Sequence, residues 1–220
     1  MRAVRAVLPA ILLPLFARDA PARSTVVLAG RMASDTPMTV DPPPVRSTAW
    51  AASLVPVVVT NGATGGATAV RLYTREGEVD EVERKRFEHV AACDGEQHAL
   101  DARLEQLVVK TAYHFGGARV VVVSGWREHA GRHTTGEALD FKLEGIAAAQ
   151  VAAYLRGLPR VGVGIYTHAR TQYVHLDVRE PSYHWLDASP PGVRWKERQL
   201  PDPGQTKRDA GWTTDDDLPI

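Results

Sequence analysis

Apolar and polar residues alternate with a period of two in three short stretches of the second half of the chain. In residues 137–143 an apolar face alternates with a polar face that carries Asp140. Residues 173–179 repeat the pattern, and His175 lies on their polar face. Residues 161–166 have one apolar face and a second face that holds mainly glycine. Because side chains alternate across a strand, these stretches predict three half-buried β-strands.

The polar faces of these strands predict a cleft. Two strands with their apolar sides toward a core would present Asp140 and His175 from the opposite side. Gly162 and Gly164 interrupt the third strand on the face that lacks apolar side chains. Glycine lets the backbone come close to a ligand, so this strand is typical of a cleft floor.

The rest of the chain predicts further helices and strands around this centre. A strongly charged stretch predicts a helix at 80–92, and apolar residues at helical spacing predict helices at 99–115 and 146–156. Runs of β-branched residues predict strands at 54–60, 69–74 and 119–124. Pro56 would confine the first of these strands to a sheet edge, because proline cannot donate to a ladder.

Both ends of the chain differ in composition from the middle. Residues 1–22 combine early arginines, a short apolar run and Ala20-Pro21-Ala22, which predicts a cleaved secretory signal. The alternative is a buried N-terminal strand or helix of a cytosolic protein. The apolar run is too short to cross a membrane, so no span is expected after signal removal. Residues 23–48 are rich in Pro, Ser and Thr and predict a linker. The polar residues 201–220 predict a disordered tail.

The charge balance and cysteine count exclude several classes. Lys plus Arg and Asp plus Glu both number 26, so the chain has no basic excess with which to bind nucleic acid. Cys93 is the only cysteine, which excludes an internal disulfide and a multi-cysteine zinc site. A chain of 220 residues with 44% hydrophobic composition can bury one good core.

His133, Asp140 and His175 form a candidate metal site. Two imidazoles and one carboxylate suit Zn²⁺, and three protein ligands leave a fourth position open for water, as in catalytic zinc sites. Each histidine alone is more simply a surface or hydrogen-bonded residue. The joint pattern, with two correctly phased strands, favours the metal site.

The same residues resemble a known family. The resemblance is carried by Ser124-Gly125-Trp126-Arg127, by His133 and Asp140 seven residues apart, and by residues 162–166 and 174–177. With these motifs the chain resembles the D-Ala-D-Ala-type zinc peptidases, in particular the murein endopeptidase K branch of the lysostaphin, D-Ala-D-Ala peptidase and hedgehog superfamily. The resemblance covers roughly residues 68–186.

The resemblance implies a structure and a function. The expected fold is α+β, a small antiparallel sheet with flanking helices, in a zinc peptidase domain over residues 49–200. His133, Asp140 and His175 would hold the zinc, and Arg127 would bind a substrate carbonyl or carboxylate oxygen. The expected protein is a monomeric, periplasmic or secreted D,D-endopeptidase or D,D-carboxypeptidase that acts on peptidoglycan stem peptides or cross-links.

The chain departs from the family pattern in two places. The loop 128–132 is shorter than usual, and Gly131 replaces a serine two positions before the first histidine. Relatives often carry an acid or histidine two or three residues before the last histidine, where this chain has Tyr173 and Gln172. Asp177, on the face of His175, is either the general base or a carboxylate that orients an imidazole.

Two other functions compete with the peptidase. A hedgehog-like domain could keep zinc, lose catalysis and bind the cell wall or a protein, and the absent upstream base favours this reading. An iron oxygenase with a facial triad would need a distant downstream histidine, and only His184 follows His175. Of the other histidines near the motifs, His168 could approach a leaving group and His184 could line the cleft, although both are more simply surface residues.

Overall fold

The computed structural model describes residues 48–92, 96–191, 193 and 197–220. The predicted signal 1–22, all but the last residue of the predicted linker 23–48, and Cys93 lie outside the described residues. In the part of the chain that the structure describes, no helix is both long enough and apolar enough to cross a membrane.

Within the described residues, a sheet of eight strands forms the centre of the fold. In chain order the strands are β1 Val57–Asn61, β2 Ala67–Val70, β3 Val120–Ser124, β4 Ala138–Leu143, β5 Val161–Tyr166, β6 Tyr173–Val178, β7 Tyr183–Asp187 and β8 Arg198–Gln199. Their spatial order is β2-β1-β3-β4-β6-β5-β7-β8. The pairs β1–β3 and β5–β7 are parallel, and all other neighbours are antiparallel.

The α+β prediction is therefore confirmed, whereas the prediction of a small antiparallel sheet is wrong. The connection from β1 to β3 contains β2, which is antiparallel to β1, and two helices among the described residues, and β3 runs parallel to β1. Near the other edge, β5 pairs with β6 on one side and with β7 on the other. After β5 the chain returns as β6, which is antiparallel to β5, and then as β7, which is parallel to β5.

Five helices accompany the sheet in the part of the chain that the structure describes, and the three predicted ones are confirmed in place. They are α1 Ala49–Ser53, α2 Glu81–Ala91, α3 Ala102–His114, α4 Ala148–Leu155 and α5 Gln205–Ala210. Asp80 and Asp101 begin α2 and α3, because each carboxylate accepts hydrogen bonds from two backbone N–H groups of the first turn.

The core lies between the helices and the apolar sides of β4, β5 and β6. Leu139, Phe141, Leu176 and Val163 are fully buried, and α3 and α4 both contact β4 and β6. The predicted alternation thus holds on its apolar side, and it fixes the direction in which Asp140 and His175 point.

Pro56 does not confine β1 to an edge, contrary to the prediction. β1 lies between β2 and β3, and Pro56 immediately precedes its first residue. The proline therefore needs no ladder hydrogen bond, and the strand can be internal.

The prediction of a disordered tail at 201–220 is also wrong. This segment forms α5 and a 3₁₀ turn, Thr214–Asp217. The Asp217 carboxylate accepts a hydrogen bond from Arg103 Nε at 2.8 Å. The Asp209 carboxylate accepts from the backbone N–H groups of Arg160 and Ser182 at 2.7 and 2.8 Å. Hydrogen bonds between buried polar groups hold this segment in place. A count of apolar residues does not detect such bonds.

We expect Asp209→Ala to lower the free energy of unfolding by about 2 kcal/mol, because it leaves the buried backbone donor of Ser182 and the part-buried donor of Arg160 unsatisfied, at roughly 1–3 kcal/mol for a fully buried group. Urea denaturation at neutral pH measures the change, with Lys207→Ala, an exposed position on the same helix, as the matched control. Equal stability of the two variants would contradict this anchoring role.

The same comparison should depend on pH. Burial works against the charge of Asp209, but hydrogen bonds from Arg160 and Ser182 outweigh it and lower its pKa. A lowered folded-state pKa gives stability that is present above the ordinary aspartate pKa of about 3.9 and is lost as pH falls through the folded value. The gap between wild type and Asp209→Ala should therefore shrink in acid.

Candidate metal centre

The pairing of β4 with β6 brings the first two predicted ligands together. In this antiparallel register Asp140 lies directly opposite His175. The distance from Asp140 Oδ1 to His175 Nδ1 is 2.8 Å. The third residue, His133, ends a 3₁₀ turn, Gly131–His133, that precedes β4.

Three donor atoms of these residues form a small triangle. His133 Nε2 lies 3.2 Å from His175 Nδ1 and 3.5 Å from Asp140 Oδ1. A tetrahedral zinc with bonds of about 2.0–2.2 Å separates its ligand atoms by about 3.3–3.6 Å. The observed spacing of 2.8 to 3.5 Å is close to that requirement. These residues therefore fit a shared metal ion, and they are the group of potential metal ligands found among the described residues.

Hydrogen bonds behind both imidazoles turn the correct nitrogen inward. His133 Nδ1 lies 2.7 Å from the carbonyl oxygen of Gly125, and His175 Nε2 lies 3.0 Å from Asp177 Oδ2. A neutral ring that donates outward presents its lone pair on the other nitrogen. His133 thus offers Nε2 to the centre, and His175 offers Nδ1.

The centre attracts positive charge. All three ligands are buried. Burial works against the Asp140 carboxylate, yet hydrogen bonds with both histidines lower its pKa. Burial likewise opposes protonation of His175, but Asp140 and Asp177 on its two sides raise its pKa to about 9 in the metal-free protein. A bound cation would meet the same field and would compete with that proton.

Asp177 lies behind His175 and is fully buried. Arg179 holds it with Nε and Nη2, each 2.5 Å from one carboxylate oxygen. Burial raises the pKa of Asp177, but its partners His175 and Arg179 lower it by more, so the net change is a decrease. The carboxylate therefore stays charged and directs the ring of His175.

The two glycines of β5 make room for side chains of the fold itself. A Cβ atom on Gly162 would lie 2.2 Å from Asp177 Oδ2, and one on Gly164 would lie 2.5 Å from the Trp185 ring. The glycine face thus accommodates Asp177 and Trp185, which lie across it. The cleft is lined by the indole instead of by bare backbone, which corrects the predicted cleft floor.

A cavity of about 610 Å³ opens above the two histidine ligands. Arg127 reaches into it from the loop after β3, and its Nη2 lies 3.2 Å from Asp140 Oδ2. Half of the Arg127 side chain remains exposed, at 47%, so the guanidinium can meet a bound molecule. The cavity-lining residues are Arg127, His129, Ala130, Arg132, His133, Tyr166, His175, Arg179, Tyr183, Trp185 and Glu197.

Other residues considered from the sequence lie elsewhere. His184 alternates with Trp185 along β7, is buried, and its Nε2 lies 3.0 Å from Asp202 Oδ2. His168 accepts a hydrogen bond from the backbone of Arg170 in a turn and does not line the cavity. Tyr173 stacks on Tyr166 with ring centroids 4.3 Å apart. Burial raises the pKa of Tyr173, so its hydroxyl remains protonated.

Three groups of the site were not predicted from the sequence. The carbonyl of Gly125 orients His133, Arg179 fixes Asp177, and Glu197 lines the cavity. The alternation of β6 placed Arg179 on the same face as His175 and Asp177, which was a usable signal. A backbone carbonyl has no sequence signature, and Glu197 lies in a stretch without periodicity.

Comparisons with known proteins agree with this geometry. Residues 78–177 match the family model described as Peptidase M15. The match begins before α2 and ends at Asp177, so it contains all three metal-ligand candidates and Arg127. It does not distinguish the murein endopeptidase K branch. Comparisons with curated proteins and with solved structures returned no match. Over residues 78–177, which are less than half of the 220-residue chain, the protein is thus similar to the Peptidase M15 family, the D-Ala-D-Ala-type zinc peptidases.

Proposed function

We propose that this protein is a zinc-dependent D,D-peptidase that hydrolyses peptide bonds in peptidoglycan stem peptides or cross-links. The observation that carries the proposal is the triangle of His133, Asp140 and His175 beneath an open cavity, with Arg127 beside it. Zinc bound there would polarise the scissile carbonyl and lower the pKa of a bound water to about 7.

The chain's own residues would divide the remaining tasks. Gly125 and Asp177 hold the two imidazoles in the tautomers that a metal needs. Arg127 offers a planar fork of donors to a carbonyl or carboxylate oxygen of the substrate. Trp185 and Tyr183 supply a flat apolar wall for the peptide.

The charge of the cavity supports an anionic peptide as the substrate. Arg127, Arg132 and Arg179 line it, and Glu197 is its one acidic lining residue within the described part of the chain. Stem peptides with free carboxylates suit such a cationic wall. Arg179 is paired with Asp177 and Arg132 with Glu137, so the half-exposed Arg127 has the most capacity for a ligand.

Incubation of purified protein with muropeptides, followed by product analysis, tests the function. We expect hydrolysis that a chelator abolishes and zinc restores. His133→Ala should lose most of the bound zinc and the activity, because only two ligands remain. His89→Ala, an exposed histidine on α2, should retain both.

Two results would contradict the proposal. Full zinc content in His133→Ala would exclude the assigned ligands. Stoichiometric zinc with peptidoglycan binding but without products would favour the hedgehog-like binding module instead.

We expect Asp177→Asn to weaken zinc binding by about 10–100-fold, because the carboxylate supports the ring of a metal ligand. Its position against His175 Nε2, on the side away from Nδ1, favours this role over that of general base. Zinc affinity and peptidase rate, measured on the same variant, separate the two. Normal zinc affinity with a rate loss of about 10²–10⁴ would instead assign it as the base.

The N-terminal pattern supports export to the periplasm or medium, where the substrate is found. We expect the mature protein to begin after about residue 22, following Ala20-Pro21-Ala22. Mass spectrometry of the protein from the cell envelope of its source measures the N-terminus. A cytosolic protein that retains Met1 would contradict export.

A further inference from the structure

Hydrolysis of a peptide bond needs a base for the attacking water, and the usual positions lack one. Gln172 and Tyr173 occupy these positions, and Asp177 lies buried behind His175. A base must face the cavity that the substrate and water enter. Among the described residues that line this cavity, Glu197 is the only carboxylic acid.

The register of three strands brings Glu197 to the correct face of the sheet. β5 pairs Gly164 with His175 on one side and with Trp185 on the other, so these three residues form one row. β8 continues the row, because Gln199 lies opposite Trp185. Glu197 is two residues before Gln199, and side chains two apart share a face.

The next row of the sheet gives Glu197 its neighbours. Tyr166 lies opposite Asp187 in the β5–β7 pair. Continued by one residue, the β7–β8 register, in which Leu186 lies opposite Arg198, would set Asp187 opposite Glu197, and the charge of Asp187 does act on Glu197. Glu197 therefore lies at the cavity wall next to Asp187 and Tyr166, across Trp185 from His175. The rings of His175 and Trp185 are 5.0 Å apart.

The surroundings of Glu197 suit a proton acceptor. Partial burial and the negative charge of Asp187 raise its pKa, while His175 and Arg179 act in the opposite direction. A carboxylate whose pKa moves upward toward the working pH is a better base than an ordinary glutamate. The burial is only partial and the residue remains accessible, so water can reach it.

We propose that Glu197 is the general base of this peptidase, supplied from the segment before β8 in place of an acid before the last histidine. The inference depends on the proposed peptidase function. Glu197 accepts one proton from water as the water oxygen bonds to the scissile carbonyl carbon. It then returns that proton to the amide nitrogen as the C–N bond breaks. The products are a carboxylate and an amine, and the carboxyl proton passes to the amine or to solvent.

The competing role for Glu197 is an electrostatic partner of Arg179, which carries a charge in the same cavity. A partner of this kind affects substrate binding or stability and leaves the proton transfer unchanged. The two roles differ in the parameter that changes, so variants can separate them.

We expect Glu197→Gln to lower kcat by about 10²–10⁴ on muropeptides, the usual contribution of general acid–base catalysis. Zinc content and melting temperature should remain those of the wild type. Glu144→Gln, an exposed carboxylate paired with Arg119 and absent from the cavity lining, is the matched control with full activity. Added formate should partly restore Glu197→Ala, because a small carboxylate can occupy the vacated space.

A change confined to KM, or activity within about threefold of wild type, would overturn the assignment. The acidic limb of the kcat/KM profile gives a second criterion, since it should vanish in Glu197→Gln if this residue is the base. A limb that persists unchanged in this variant would also overturn it.

A measurement without substrate keeps this inference distinct from the proposed function. Protein loaded with Co²⁺ reports ionisations near the metal through its visible absorption. The wild-type spectrum should show an acid-side ionisation that is lost in Glu197→Gln and kept in Glu144→Gln. Identical titrations of all three proteins would refute Glu197, whereas failure of wild-type protein to cleave muropeptides would refute only the peptidase assignment.

Discussion

Two buried carboxylates on neighbouring strands, Asp140 and Asp177, impose the constraint on which the centre depends. An unpaired buried charge is costly, so each carboxylate must be matched by donors or cations. His175 lies between them and contacts one with each ring nitrogen. Arg127 and Arg179 occupy the outer sides. The ring of His175 is therefore fixed in rotation by charge on both sides, before any metal binds.

The sheet turns this local constraint into a directed site. β4 and β6 are internal strands with fully buried apolar sides, so a slip of one residue would turn their hydrophobic side chains out of the core. That register penalty keeps Asp140 opposite His175. β3 pairs with β4 on its other side and leads to Gly125 and Arg127, which reach the centre from the strand's end. Core packing and ligand placement thus rest on the same pairings.

Alternation along β4, β5 and β6 made much of the centre predictable. A period of two assigns faces without knowledge of the fold, and it correctly placed Asp140, His175 and Asp177. The size of the sheet was not predictable in this way, because β7 carries no clear alternation and β8 has only two residues. The ordered tail was missed for a different reason: Asp209 and Asp217 are held by distant donors, and sequence composition counts such residues as solvated. Long-range polar pairing is invisible to a local pattern.

The arrangement of the donors bears on the choice between enzyme and binding module. A structural metal site closes all four positions with protein ligands, whereas a catalytic site leaves one open. Here three donors converge under a cavity of about 610 Å³, and the described residues provide no fourth ligand in that group. The walls carry a half-exposed arginine and a carboxylate, groups that a domain using metal only for stability does not require at that place. The groups that close the back of the site, the backbone carbonyl of Gly125 and the carboxylate of Asp177, leave its front accessible. This asymmetry favours hydrolysis over simple retention of a metal.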